Sequence, residues 1–289
     1  MIKIKPIPWD INILKNYIYK RNGKPKQGKE VLSENFNFIL KRLDKYENNI
    51  KNFKCIDEFE YSDEYLRDNL YKIYDSSSMK SLKDNIRLLT SEAQCPYCSL
   101  QVNPYEIDHY LPRSVYPEYS IFTLNLVPSC PECNSRLKKT NYKTSNTIRA
   151  FIHPYFDESI IEKCFLDCEI NVINYLLEVE YFLNLEQFDE FEKELVQSHF
   201  QKLELKRRFK HMIIKEFEKF YRRFTETEKE SNKRVFKNDI NKSIVIEKVE
   251  EEINLYYEYN CNYYIKVFWK KFKECEDCLK LIYEKKIKL

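Results

Sequence analysis

The sequence predicts a mainly α protein with a small α+β insert stapled by a zinc ion on four cysteines. Three observations carry this reading. Apolar residues recur at spacings of three and four on both sides of the insert. Two Cys-x-x-Cys pairs, Cys95-Pro-Tyr-Cys98 and Cys130-Pro-Glu-Cys133, frame it. Between them Phe122-Thr-Leu-Asn-Leu-Val127 reads as a strand. The expected division is a helical region with a basic loop over 1–92, the insert over 93–157 and a second helical region over 158–289.

In the first region, Lys20-Arg-Asn-Gly-Lys-Pro-Lys-Gln-Gly-Lys29 is broken by Gly23, Gly28 and Pro25. It reads either as a solvated loop, the commoner case, or as a phosphate-contacting arm. From Ser33, the residues Phe36, Ile39, Leu40, Leu43, Tyr46, Ile50 and Phe53 share one helical face. A second helix is expected to start near Ser62, with Leu66, Leu70, Ile73 and Tyr74 inward, and a third to span Met79 to Leu89. Arg149 to Asp157 reads as a turn, because Pro154 excludes a helix through it. From Glu158 onward the pattern is read as helical throughout. One stripe holds Phe191, Leu195, Val196, His199, Phe200 and Leu203, and the next holds Ile213, Ile214, Phe217, Phe220 and Tyr221. A last helix carries Ile265 through Ile282, and Glu226 to Lys242 is the expected linker.

Composition sets outer bounds. The 289 residues carry a net charge of +3, too small to name a partner. Met1 to Asp10 is too broken by Lys and Pro for a signal sequence, and no apolar run reaches membrane-spanning length. The expectation is a cytoplasmic protein with no membrane partner. Ten cysteines in such a chain point to metal rather than to a disulfide framework. Four thiolates at Cys95, Cys98, Cys130 and Cys133 suit Zn²⁺ in a closed, structural site with no position left for chemistry.

The insert also holds Glu106-Ile-Asp108-His109, Asn125, and Asn134 directly after the last framing cysteine. In this order the stretch resembles the HNH endonuclease family, whose core is a ββα-metal finger, and among its members those stapled by two Cys-x-x-Cys knuckles. The resemblance covers about residues 93–157 and implies a nuclease domain there. It implies His109 as general base, Asn125 as the residue that holds loop and base in register, and Asp108 and Asn134 as ligands of a catalytic Mg²⁺ or Mn²⁺. The reaction implied is metal-dependent hydrolysis of DNA phosphodiester bonds. Arg113, Arg136, Lys138 and Lys139 are candidate phosphate contacts by charge and position. His153 reads either as an extra metal or phosphate contact or as part of a packed turn. His199 reads as core, and the run Lys206 to His211 as a solvated face. Cys164, Cys168, Cys275 and Cys278 could share a second zinc, but ordinary helix cysteines are the preferred reading.

Free-standing HNH proteins with helical flanks resemble effectors of bacterial anti-phage systems of the Septu or retron type. That resemblance implies a partner ATPase subunit; a homo-oligomer is the other expectation. A restriction-type HNH nuclease, a non-catalytic zinc-finger module that binds nucleic acid or protein, and a thiol-redox protein are the rival readings.

Overall fold

The computed structural model describes residues 1–52, 56–58, 64–90, 94–146, 148–230 and 241–284. Phe53 and Ser62, and residues 231–240 of the expected linker, lie outside them. The elements in chain order are α1 (Ile11–Ile18), α2 (Glu30–Glu34), α3 (Phe36–Lys51), α4 (Glu64–Ile73), α5 (Lys80–Arg87), β1 (Glu106–His109), β2 (Leu126–Ser129), a π-helical turn (Glu132–Lys138), α6 (Glu158–Ile161), β3 (Leu166–Ile173), β4 (Leu176–Leu183), α7 (Glu190–Lys202), α8 (Leu205–Glu230), α9 (Lys242–Leu255), α10 (Tyr264–Glu274) and α11 (Glu276–Tyr283). The protein is mainly α with two small antiparallel sheets. It forms two compact units, one of Met1–Ile160 with Asp189–Leu203, the other of Ile161–Phe188 with Glu204–Leu289.

In the first unit α1 is a helix that the sequence reading did not anticipate. Asp10 caps it by accepting from Asn12 N at 2.8 Å. The basic loop after it folds back instead of extending as an arm. Tyr19 pairs with Pro25, and Lys26 Nζ donates to Asn16 O. Gly23 and Gly28 turn the loop at φ of 77° and 74°. Helix α3 buries Ile39, Leu43, Tyr46 and Ile50, as its stripe requires. Ile86 of α5 packs on Ile107 of β1 and Leu126 of β2, with Ile7, Tyr74 and Leu82 around them. The two strands pair antiparallel, with Asp108 opposite Val127 and His109 opposite Leu126. Helix α7 starts on a capping box of Asp189 and Glu192.

Three expectations need correction. Residues 122–127 are not all strand: Thr123–Asn125 is a 3₁₀ turn and β2 begins at Leu126. The region after Glu158 is not helical throughout, because β3 and β4 form a hairpin in the second unit. Asn174 and Tyr175, at φ of 52° and 67°, make its two-residue turn, the backbone that matches the twist of the strands. Leu166, Cys168, Val179 and Tyr181 alternate inward along the two strands. The last helix is also not continuous. Cys275 is extended, and its sulfur caps α11 by accepting from Cys278 N at 3.4 Å.

The second unit also holds a disulfide, Cys164 to Cys261, 97 residues apart. The cysteines were expected to point to metal rather than to a disulfide framework, and this pair departs from that expectation. Asn262 next to it accepts from Phe165 N and Leu166 N and donates to Lys163 O, which ties the start of the hairpin to the turn before α10. Cys164 is therefore no zinc ligand, and Cys168, Cys275 and Cys278 carry free thiols.

Candidate metal centre and active site

Each Cys-x-x-Cys pair sits on a tight turn. After the first, Ser99 adopts φ 59° and donates its N–H to Cys95 O at 2.7 Å, which brings Cys95 and Cys98 onto one side. The second pair lies where β2 runs into the π-helical turn. The four sulfurs lie within 4.8 Å of one another and all four residues are buried. Tetrahedral Zn–S bonds of ~2.3 Å would put sulfurs roughly 3.8 Å apart, so the set fits one zinc ion. Backbone N–H groups of Cys130 and Cys133 point at the sulfurs of Cys95 and Cys130, both at 3.4 Å, and favour their thiolate forms.

Asp108 and His109 are neighbours on β1 and therefore leave it on opposite faces. Asp108 faces inward and is 2% exposed. Its Oδ2 accepts from the Tyr97 hydroxyl at 2.6 Å, its Oδ1 from Lys138 Nζ at 3.0 Å. Lys138 is fully buried, and its ammonium also donates to His109 O at 3.0 Å. The phosphate contact expected at Lys138 is thus an internal ion pair. Asn134, on the same inner side, donates its amide N–H to Glu106 Oε2 at 2.9 Å, and Ser135 donates to the same oxygen at 2.7 Å.

Among the described residues, the four cysteines are the one cluster of three or more Cys, His, Asp or Glu side chains that could hold a metal. Each Asp108 oxygen is already engaged, Oδ1 by Lys138 and Oδ2 by Tyr97. Asn134, expected beside Asp108 as a ligand, turns its amide N–H to Glu106.

His109 turns to the other face. Its Nε2 lies 3.0 Å from Ser120 O. A carbonyl only accepts, so Nε2 carries the proton and Nδ1 holds the lone pair. Tyr74, at the end of α4, meets the imidazole edge-on with centroids 4.5 Å apart. Burial pushes the His109 pKa down to about 3; the Arg113 and Lys138 cations act in the same direction and the Ser120 bond opposes them. Arg113 lies over the Tyr71 ring at 4.3 Å and pairs with Asp75 at 2.8 Å.

The loop between β1 and β2 supplies Ser120, and Asn125 closes that loop. Asn125 is fully buried. Its Oδ1 accepts from Leu111 N at 2.8 Å and from the Tyr46 hydroxyl at 2.9 Å. Its Nδ2 donates to Leu111 O at 3.0 Å and Tyr119 O at 3.3 Å. Its backbone carbonyl accepts from Tyr110 N, one residue past His109. All the hydrogen-bonding capacity of the amide is spent on holding loop ends and α3 together.

The remaining candidates divide by exposure. Arg136 pairs with Glu132 on the surface, and Lys139 is exposed beside it at φ 50°. His153 is fully buried. Its Nδ1 accepts from Tyr155 N at 3.2 Å, its Nε2 faces the Tyr46 hydroxyl at 3.4 Å, and its ring lies 4.1 Å from that of Tyr110. Neither nitrogen is offered to a ligand. Burial, reinforced by the Arg149 cation, holds its pKa well below the ordinary value. Arg149 itself grips Asp157 with two bonds of 2.8 Å and locks the turn that carries His153. His199 is core, as its stripe implied. It accepts from Ile152 N and donates to Tyr97 O, joining α7 to the first knuckle.

Tyr97, Tyr74 and Ser120 were not foreseen as site residues. Tyr97 sits inside a knuckle, where an aromatic reads as packing. Tyr74 was assigned to a core stripe, and Ser120 acts through its carbonyl, which no sequence pattern reports.

No family model matches the chain, and no solved structure does. Among curated proteins, Protein ea31 of Escherichia phage lambda is 41% identical over 73 residues, which are 25% of this chain and 24% of that protein. The match thus spans about a quarter of the relative's length.

Proposed function

We propose that the protein is an HNH-type endonuclease that hydrolyses DNA phosphodiester bonds with His109 as general base. The observation that carries this reading is the tautomer of His109. A backbone carbonyl holds its Nε2 proton, so Nδ1 keeps a lone pair, and the depressed basicity keeps the ring neutral at physiological pH. A ring with a pKa near 3 is a weak base. A phosphodiester anion beside it raises that value, since an opposite charge favours the imidazolium. The ring then takes the proton of a water as its oxygen attacks phosphorus; the P–O bond to the 3′ oxygen breaks, which leaves a 5′-phosphate, and the departing 3′ oxygen takes a proton from solvent. Lys139, exposed after the second knuckle, and Arg136, which would have to leave Glu132, are the cations proposed to attract the backbone.

The zinc ion, held by Cys95, Cys98, Cys130 and Cys133, supplies rigidity and no chemistry. A divalent ion on a phosphate oxygen supplies Lewis-acid charge in such hydrolyses. Such an ion would compete with Lys138 and Tyr97 for Asp108.

Nicking of supercoiled plasmid with Mg²⁺ or Mn²⁺ tests the proposal. The wild type should nick, and His109→Ala should lose on the order of a hundredfold or more, the size of a general-base contribution. Equal inertness of both proteins on supercoiled, linear and single-stranded DNA with either metal would leave a zinc-bearing binding module. The wider role proposed is that of an anti-phage effector paired with an ATPase. Cells that carry the locus should lose protection from phage with His109→Ala.

A further inference from the structure

The inner face of β1 poses a question that the nuclease reading does not answer. A lysine with no solvent exposure sits against the residue expected to hold the catalytic metal. The ammonium has two acceptors at 3.0 Å, Asp108 Oδ1 and His109 O. Tyr110 and Phe151 enclose it, their ring centroids 5.9 and 5.7 Å away. The second Asp108 oxygen takes the Tyr97 hydroxyl. Charge and hydrogen bonds are satisfied within the protein, and a divalent ion that displaced Lys138 would leave a buried ammonium without its carboxylate, which is costly.

The π-helical turn explains how Lys138 arrives there. In a π-turn the N–H bonds five residues back, as Lys139 N does to Asn134 O at 2.8 Å. The wider turn leaves Arg136 and Lys139 on the surface and carries Lys138 inside. Lys139 then leaves the turn at φ 50°.

We propose that Lys138 is the resident cation of this face: it occupies Asp108 in place of a divalent ion, and it positions His109 by holding its carbonyl. Asp108 is then the counter-ion of Lys138 and not a metal ligand. Lys138 is a positioning residue, since it touches neither substrate nor the imidazole nitrogens. Its effect on His109 in catalysis rests on the nuclease reading; its occupation of Asp108 does not.

The experiment uses the full chain loaded with zinc and follows free Mn²⁺ by electron paramagnetic resonance as protein is added. Asp108→Asn is nearly isosteric. Its amide oxygen can still accept from Lys138, and its amide N–H can donate to the Tyr97 hydroxyl. This variant is expected to bind Mn²⁺ as the wild type does, within twofold. Lys138→Met frees the carboxylate and is expected to bind Mn²⁺ at least tenfold more tightly than the wild type. A tenfold or greater loss of Mn²⁺ affinity in Asp108→Asn overturns the proposal. So does unchanged Mn²⁺ binding by a Lys138→Met protein that melts cooperatively. If Lys138→Met does not fold, the Asp108→Asn arm decides alone.

In nicking assays Lys138→Arg should keep KM and lose less in kcat than Lys138→Met, because a guanidinium can still reach the His109 carbonyl. Equal losses in the two variants would refute the positioning role. An inert wild type would overturn the nuclease reading and leave the Mn²⁺ result standing.

Discussion

Asn125 is the residue whose replacement tests the site most directly. The loop that it closes carries both Ser120, which fixes the imidazole, and Tyr110, the residue after His109. Asn125→Asp changes one atom. The retained Oδ1 still accepts from Leu111 N and Tyr46, but the oxygen that replaces Nδ2 now faces Leu111 O and Tyr119 O, which Nδ2 met at 3.0 Å and 3.3 Å. Two buried carbonyls lose their donor, at about 1–3 kcal/mol each. A buried carboxyl against two carbonyls must also take a proton or stay charged in an apolar site. A loss of about 3 kcal/mol or more in urea unfolding is expected. Asn125→Ala keeps neither acceptor nor donor, leaves four groups unpaired and opens a small cavity, and should cost at least as much. If the nuclease proposal holds, both variants should lower kcat for nicking with little change in KM, because the loop carries the contacts to His109 and its neighbour. A loss below about 1 kcal/mol in Asn125→Asp would refute the clamp, since that is the price of a single solvent-compensated hydrogen bond.

Three further outcomes are expected. Elemental analysis should find one zinc per chain, and Cys98→Ser should lose both the ion and the cooperative melting of the first unit. His153 is neutral in the fold with its pKa held well below 6.5, so the unfolded chain binds the extra proton. The stability it contributes is intact above pH 6.5 and declines as pH falls, by about 2 kcal/mol at pH 5. His109, with its pKa near 3, contributes a decline of the same sign. His153→Asn, whose amide can still accept from Tyr155 N, should therefore make the decline shallower without abolishing it in urea midpoints measured from pH 7.5 to 5, and parallel slopes would count against the assignment. Reduction of Cys164–Cys261, or Cys164→Ser, should destabilise the second unit by about 2–5 kcal/mol, as the bond closes a loop of nearly a hundred residues. Identical denaturation with and without reductant would show that the bond does not form in solution.

What could be read from the chain was whatever depends on local period or on a strict spacing. The stripe through Ile39, Leu43, Tyr46 and Ile50 defines α3, and Leu82 and Ile86 define the inner side of α5, because burial at a 3.6-residue period is a local property. The doubled Cys-x-x-Cys pairs announce their cluster for the same reason. The hairpin of β3 and β4 was hidden because Leu166 to Leu183 mixes alternation with a run of apolar residues, and its turn uses Asn-Tyr instead of a glycine. The pairing of Cys164 with Cys261 joins residues too distant for spacing to report. Lys138 was misplaced because a charge after a knuckle reads as surface, whereas one extra residue per turn in the π-helix sends it inward.

The two faces of β1 show why adjacency in sequence is a poor guide to a shared ion. Antiparallel pairing continues through His109 opposite Leu126, so the strand is still pleated where the two polar residues leave it. For Asp108 and His109 to converge on one cation, that last pair must open or one side chain must cross the strand. The contacts present oppose both. Lys138 holds the His109 carbonyl from inside, Ser120 holds the imidazole from outside, and Tyr74 blocks the ring from swinging toward α4. The strand therefore divides its polar residues: on one face Asp108 balances the charge of Lys138, and on the other His109 donates its Nε2 proton to Ser120 O and keeps the lone pair of Nδ1.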